Sequence, residues 1–85
     1  MAKVIIYSKD NCPYCVAAKT MLTQKGVAYT EINLQTKPDE LAALKAKTGL
    51  RTVPQIFIND TLVGGFSDMQ KLDQQGELDA LLGSG

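Results

Sequence analysis

The stretch Lys3-Val4-Ile5-Ile6-Tyr7-Ser8-Lys9-Asp10-Asn11-Cys12-Pro13-Tyr14-Cys15 decides the fold. Val4-Ile5-Ile6-Tyr7 is a β-branched apolar run and reads as a buried strand. Asp10-Asn11 breaks the run, and a helix is expected from Cys12 or Pro13, because proline's missing N–H costs nothing in a first helical turn. Beyond it Cys15, Ala18 and Leu22 recur at helical spacing with Met21 beside them, marking one inward stripe. Lys25 and Gly26 end the helix: a cation near the carbonyl end, then the residue that tolerates positive φ.

Working outward, Val27 to Leu34 alternates apolar with polar and reads as a second strand. Thr36 with Asp39, and Pro38 between them, signals a second helix, with Leu41, Leu44 and Thr48 on one face and Gly49 at its end. Val53 precedes Pro54 and is expected to be extended, since the proline ring disfavours the α region before it. Gln55-Ile56-Phe57-Ile58, Asn59-Asp60 and Thr61-Leu62-Val63 read as a hairpin with a two-residue turn. Gly64-Gly65 leads to Ser67, whose Gln70 three residues on predicts a capping box for a third helix. Met69 and Leu72 face inward; Gly76 interrupts, and Leu78, Leu81 and Leu82 dock the end. The order is β-α-β-α-β-β-α. A β-α-β start implies a parallel pair with a right-handed crossover, and the hairpin adds antiparallel strands. The expectation is an α/β fold: a mixed four-stranded sheet flanked by helices, one domain over residues 1–82 with a linker-like tail at 83–85.

Composition narrows the function. With 85 residues, two domains would each approach the roughly 40 residues below which a chain seldom folds unaided. Nine Lys plus Arg balance nine Asp plus Glu, so there is no general case for a nucleic-acid partner. Histidine is absent, which excludes His-ligated metals and His-based acid–base catalysis. The apolar runs are too short for a membrane span, and Met1-Ala2-Lys3-Val4 opens no secretory signal; a cytoplasmic protein is expected. The charge is uneven: residues 1–51 hold eight basic and four acidic side chains, residues 52–85 one and five. A solvated surface or a partner carrying both signs would each account for that.

The chemistry lies at Cys12-Pro13-Tyr14-Cys15. Two cysteines at i and i+3 across a helix start bring their sulfurs within bonding reach, and beside a β-α-β pattern they form a redox signature. At the helix N-terminus, unpaired N–H groups and the helix dipole favour a thiolate on Cys12, and such sites lower a thiol pKa from about 8.5 into the range of roughly 3.5–7.5. Cys15, one turn inside on the apolar stripe, should remain a thiol. A zinc site needs about four ligands, more than two cysteines supply. A structural disulfide closing so short a ring would constrain the unfolded chain little.

With Thr52-Val53-Pro54, Gly64-Gly65 and Asp68 added, the chain resembles the dithiol glutaredoxins along nearly its whole length, and the small bacterial type in its compactness. Thioredoxins share the fold but usually carry Gly-Pro between the cysteines and a tryptophan before them; here Asn11 precedes Cys12 and tryptophan is absent. The resemblance implies a thioredoxin-like fold and a glutathione-dependent disulfide oxidoreductase. Cys12 would attack and Cys15 resolve, the two forming the redox-active disulfide, with no bound cofactor or metal and glutathione as co-substrate. It also implies a glutathione site. Lys9, and Arg51 at a position that varies in the family, would meet one carboxylate of the peptide, and Tyr14 would flank it. Val53, in a Thr52-Val53-Pro54 loop with a cis proline, would pair with the peptide's cysteine as an added strand does. Gly65 would let the backbone approach, Ser67 would open a helix N-terminus to the other carboxylate, and Asp68 would take the α-amino group. Such a ligand would also explain the uneven charge. Glutathionylated or disulfide-containing proteins, ribonucleotide reductase among them, are the implied partners, and a monomer is expected. The rival reading is a dimeric iron–sulfur carrier holding its cluster through Cys12 and glutathione. Members with that role usually have Gly or Ser after the first cysteine, and Pro13 and Cys15 argue against it.

Overall fold

A period-two burial pattern runs along β1 (Val4–Ser8), with Val4, Ile6 and Ser8 buried and Ile5 and Tyr7 half-buried. The computed structural model describes residues 2–83. β1 occupies the middle of a four-stranded sheet of order β2-β1-β3-β4. It pairs in parallel with β2 (Thr30–Asn33) and antiparallel with β3 (Gln55–Ile58), which pairs antiparallel with β4 (Thr61–Gly64). α1 (Pro13–Gln24) crosses between the parallel strands, α2 (Pro38–Thr48) leads to β3, and α3 (Phe66–Gln74) and α4 (Glu77–Gly83) follow β4. One sheet face meets Ala18 and Leu22 of α1, Met69 of α3 and Leu78 of α4, which close a core with Val4, Ile6, Ile56 and Ile58. Burying a side chain of this size contributes about 1.5–3 kcal/mol. On the other face Tyr7 meets Phe57 edge-on at 5.8 Å, and Lys47 of α2 lies over the Phe57 ring.

The expected elements are present, with five differences. β2 is shorter than 27–34. The N–H groups of Gly26 and Val27 bond back to Thr23 and Leu22 at the end of α1, so that stretch serves the helix end before Thr30 reaches β1. Thr36 does not cap α2; Lys37 stands at the N-cap with no side-chain bond, and Pro38 starts the helix. α3 starts at Phe66, two residues earlier than a cap at Ser67 would put it, with Gly65 as its N-cap. Gly76, at φ +74°, splits the last helical stretch into α3 and α4. α4 takes in Gly83, one residue past the expected domain end, a shift common where helix ends fray; Ser84 and Gly85 lie outside the described residues. The turn Asn59-Asp60 is as expected, with φ of 51° and 66°, the signs of a type I′ hairpin.

Candidate active site

Asn11, at φ 55°, turns the chain out of β1 so that Cys12 becomes the N-cap of α1 and Pro13 its first residue. Cys12 and Cys15 are joined by a disulfide, their Cα atoms 5.2 Å apart. The two sulfurs have different surroundings. Cys15 belongs to the buried stripe with Ala18 and Leu22, at 1% exposure, whereas Cys12 is half-buried. The Cys15 N–H donates to Cys12 Sγ at 3.1 Å, and the first turn of α1 carries no acidic side chain. Reduction of this pair would leave Cys12 Sγ facing the positive end of the α1 dipole, the setting that favours a thiolate. The carbonyl oxygen of Val53 lies 3.8 Å from Cys12 Sγ. Tyr14 and Val16, at 67% and 57% exposure, flank the cysteines on the surface.

Beside the disulfide runs a groove of about 590 Å³. Three separate segments build it: Tyr14 from α1, Thr52, Val53 and Pro54 from the loop before β3, and Gly65, Ser67 and Asp68 from the start of α3. The Val53–Pro54 peptide bond is cis. Leu50, Phe66 and Gln70 complete the wall, and the Phe66 ring stacks on Tyr14 with centroids 6.2 Å apart. Leu50 carried no signal in the sequence and Gln70 was read only as a partner in a helix cap, because each reaches the groove only through the path of its loop or helix. Lys9 lies elsewhere, in a second depression that it lines with Cys12, Cys15, Lys19 and Glu31. Arg51 is exposed and lines neither.

Asp68 has a local task as well. As third residue of α3 it accepts the Gly65 N–H at 2.9 Å, closing the helix start. The glycine this geometry demands is Gly64: its φ is +118°, and a Cβ there would overlap the Asp68 carboxylate. At Gly65 a Cβ would meet Pro54 O at an ordinary 3.6 Å. In the second depression Glu31 accepts from the buried Ser8 hydroxyl at 2.6 Å and from Lys19 at 2.9 Å. The Ser8 hydroxyl, and then Lys19, hold its pKa below the usual carboxylate value. This trio was not foreseen, since it depends on the register of β1 against β2. Among the described residues no group of three or more His, Cys, Asp or Glu could hold a metal ion, and no helix is long and apolar enough to cross a membrane.

Comparison with known proteins agrees with this geometry. The family model described as Glutaredoxin matches residues 4–63. The chain is 49% identical over 82 residues to a glutaredoxin of Pseudomonas aeruginosa, covering 96% of this chain and 98% of that protein. It is 43% identical over 82 residues to glutaredoxin 3 of Escherichia coli (strain K12), covering 96% and 99%. The crystal structure of a buckwheat glutaredoxin–glutathione complex superposes with a TM-score of 0.89 at 33% identity, over 95% of this chain and 76% of that one.

Proposed function

The chain belongs to the glutaredoxin family of glutathione-dependent thiol–disulfide oxidoreductases, and on that premise we propose that it reduces protein–glutathione mixed disulfides through Cys12, with Cys15 as the resolving thiol. One observation carries the reading: a half-exposed Cys12 Sγ at a helix N-terminus, beside a groove, bonded to a Cys15 that is buried. The Cys12 thiolate attacks the glutathione sulfur of the mixed disulfide. A sulfur–sulfur bond forms between Cys12 and glutathione, and the protein sulfur leaves as a thiolate and takes up a proton. A second glutathione thiolate attacks the sulfur of the bound glutathione, forming oxidised glutathione and restoring the Cys12 thiolate. A flavoenzyme reductase using NADPH returns oxidised glutathione to the thiol.

With a protein disulfide as substrate, Cys12 forms a mixed disulfide with one substrate sulfur. Cys15 then loses its proton and attacks Cys12 Sγ. The reduced substrate departs and the Cys12–Cys15 disulfide remains, which two glutathione molecules reduce. The groove receives the peptide of glutathione: Val53 pairs with its cysteine, Tyr14 and Phe66 flank it, and Thr52 and Pro54 shape the loop. The N-terminus of α3 at Gly65 and Ser67 takes the γ-glutamyl carboxylate, and Asp68 the α-amino group. Lys9 and Arg51, which lie outside the groove's lining, would reach in to meet the glycyl carboxylate. A reducing cytoplasm suits this cycle, with the chain acting as a monomer on glutathionylated proteins and on disulfides such as that of ribonucleotide reductase.

Turnover of a glutathione mixed disulfide, coupled to glutathione reductase, tests the reading in two serine variants. Cys12→Ser should lose all thiol–disulfide activity. Cys15→Ser should keep deglutathionylation, lose direct reduction of dithiol substrates, and accumulate a glutathione adduct visible by mass. Equal loss of deglutathionylation in both variants would overturn the assignment of attacker and resolver.

A further inference from the structure

Gln55 opens β3 directly behind the loop that walls the groove, and its side chain is wholly buried. A carboxamide brings two donor hydrogens and an acceptor oxygen, all of which need partners once water is excluded. Gln55 Nε2 donates to the carbonyls of Leu50 and Thr52, each at 3.2 Å. Its Oε1 has no partner among the described residues. The two carbonyls fix which end of the amide faces the loop, since an oxygen there would be repelled by both. Burying an amide costs desolvation that an apolar side chain avoids; for filling space alone an apolar side chain would serve, as Ile56 and Ile58 do one and three places further along the same strand.

What the amide does with its donors is to bridge the loop. Leu50, Thr52, Val53 and Pro54 all face the groove, and Val53 O stands next to Cys12 Sγ. The other end of the loop is tied to α2: Thr48 Oγ accepts the Leu50 N–H at 3.2 Å while its hydroxyl donates to Leu44 O at 3.0 Å. We propose that Gln55 is a positioning residue for the glutathione peptide: by clamping the carbonyls of Leu50 and Thr52 from beneath, it holds the Val53 backbone where the substrate's cysteine pairs with it. The proposal rests on the glutathione reading above. Gln55 touches neither sulfur nor substrate, so its loss should move binding and leave the ionisation of Cys12, set by the N-terminus of α1, as it was.

The test compares Gln55→Met, nearly isosteric but without donors, with Gln55→Asn, whose amide is one methylene short of the loop. The substrate is the mixed disulfide of cysteine and glutathione, in the assay coupled to glutathione reductase; alkylation of Cys12 by iodoacetamide is followed in a Cys15→Ser background. The expected result is an apparent KM raised about five- to ten-fold, the loss of one or two hydrogen bonds, with kcat and the alkylation rate unchanged. An unmoved KM in a variant folded by circular dichroism overturns the proposal, as does a fall in alkylation parallel to the rise in KM. If Gln55→Met does not fold, Gln55→Asn carries the same measurement; failure of both to fold makes Gln55 a stability residue and also overturns it. A wild-type chain without turnover on this disulfide sinks the glutathione reading itself, and this one with it. Wild-type turnover with unmoved variant KM sinks only the role of Gln55.

Discussion

Replacing Asp68 separates two tasks that one carboxylate performs. Its Oδ2 accepts the Gly65 N–H at 2.9 Å and so caps α3 from within the first turn, while the same side chain lines the groove. In Asp68→Ala the helix start loses a bonded N–H partner and a favourable charge at the positive end of the dipole, together about 1 kcal/mol. For a domain of this size that lowers Tm by about 4–8 °C. The binding loss is that of a charged contact at an exposed rim, about 0.5–1 kcal/mol, or about a two- to five-fold rise in the apparent KM for a glutathione mixed disulfide. Asp68→Asn keeps an oxygen of the same reach for Gly65 N–H but no charge. It should therefore retain most of the Tm while raising KM as much as alanine does. The assays are thermal unfolding and coupled turnover at low ionic strength, where screening is least. If Asp68→Asn has the wild-type KM while Asp68→Ala does not, the carboxylate reaches glutathione only through the helix it caps, and the direct contact is refuted. An unchanged Tm in Asp68→Ala would refute the cap.

The remaining predictions concern charge. In Cys15→Ser, thiolate absorbance near 240 nm against pH should give Cys12 a pKa below the roughly 8.5 of a free thiol, and a value at or above it ends the argument from the N-terminus of α1. Glu31 has a pKa lowered by the Ser8 hydroxyl and then by Lys19. Its contribution to stability is therefore present above the ordinary value of 4.5 and lost as pH falls through the lowered one. The Tm difference between wild type and Glu31→Gln should close in acid, and a gap that persists there counts against the trio. Lys25 bonds Asp73 at 2.6 Å and Asp79 at 2.9 Å, joining α1 to the ends of α3 and α4. Asp73 and then Asp79 raise its pKa above 10.5, so its contribution holds below that value and is lost as pH rises through the raised one. Lys25→Met should speed hydrogen exchange of the α4 amides at neutral pH, and unchanged protection would show that α4 is held by Leu78 and its neighbours alone.

Much of this was legible along the chain, because the rules involved act over a few residues. The alternation of Val4 to Ser8, the break at Asp10-Asn11, Pro13 in a first turn, Gly26 and Gly49 after helix ends and Asn59-Asp60 between strands each report a local backbone preference. The spacing of Cys12 and Cys15 is local too, and so is the contrast between an N-cap sulfur and one on the apolar stripe. Resemblance, rather than physics, supplied the list of groove residues. Tertiary structure decided what depends on partners distant in sequence. β2 runs only where β1 is available to pair with it, and α3 starts at Phe66 because Asp68 closes back on Gly65. Ser8 meets Glu31 only in the register that sets Ser8 beside Asn33. Gln55 looked like one more strand residue until its amide proved to be buried under Leu50 and Thr52. Tyr14, Val53 and Asp68 become neighbours for the same reason: burying Ala18, Ile56 and Met69 in one core brings three separate segments together at one end of the strands.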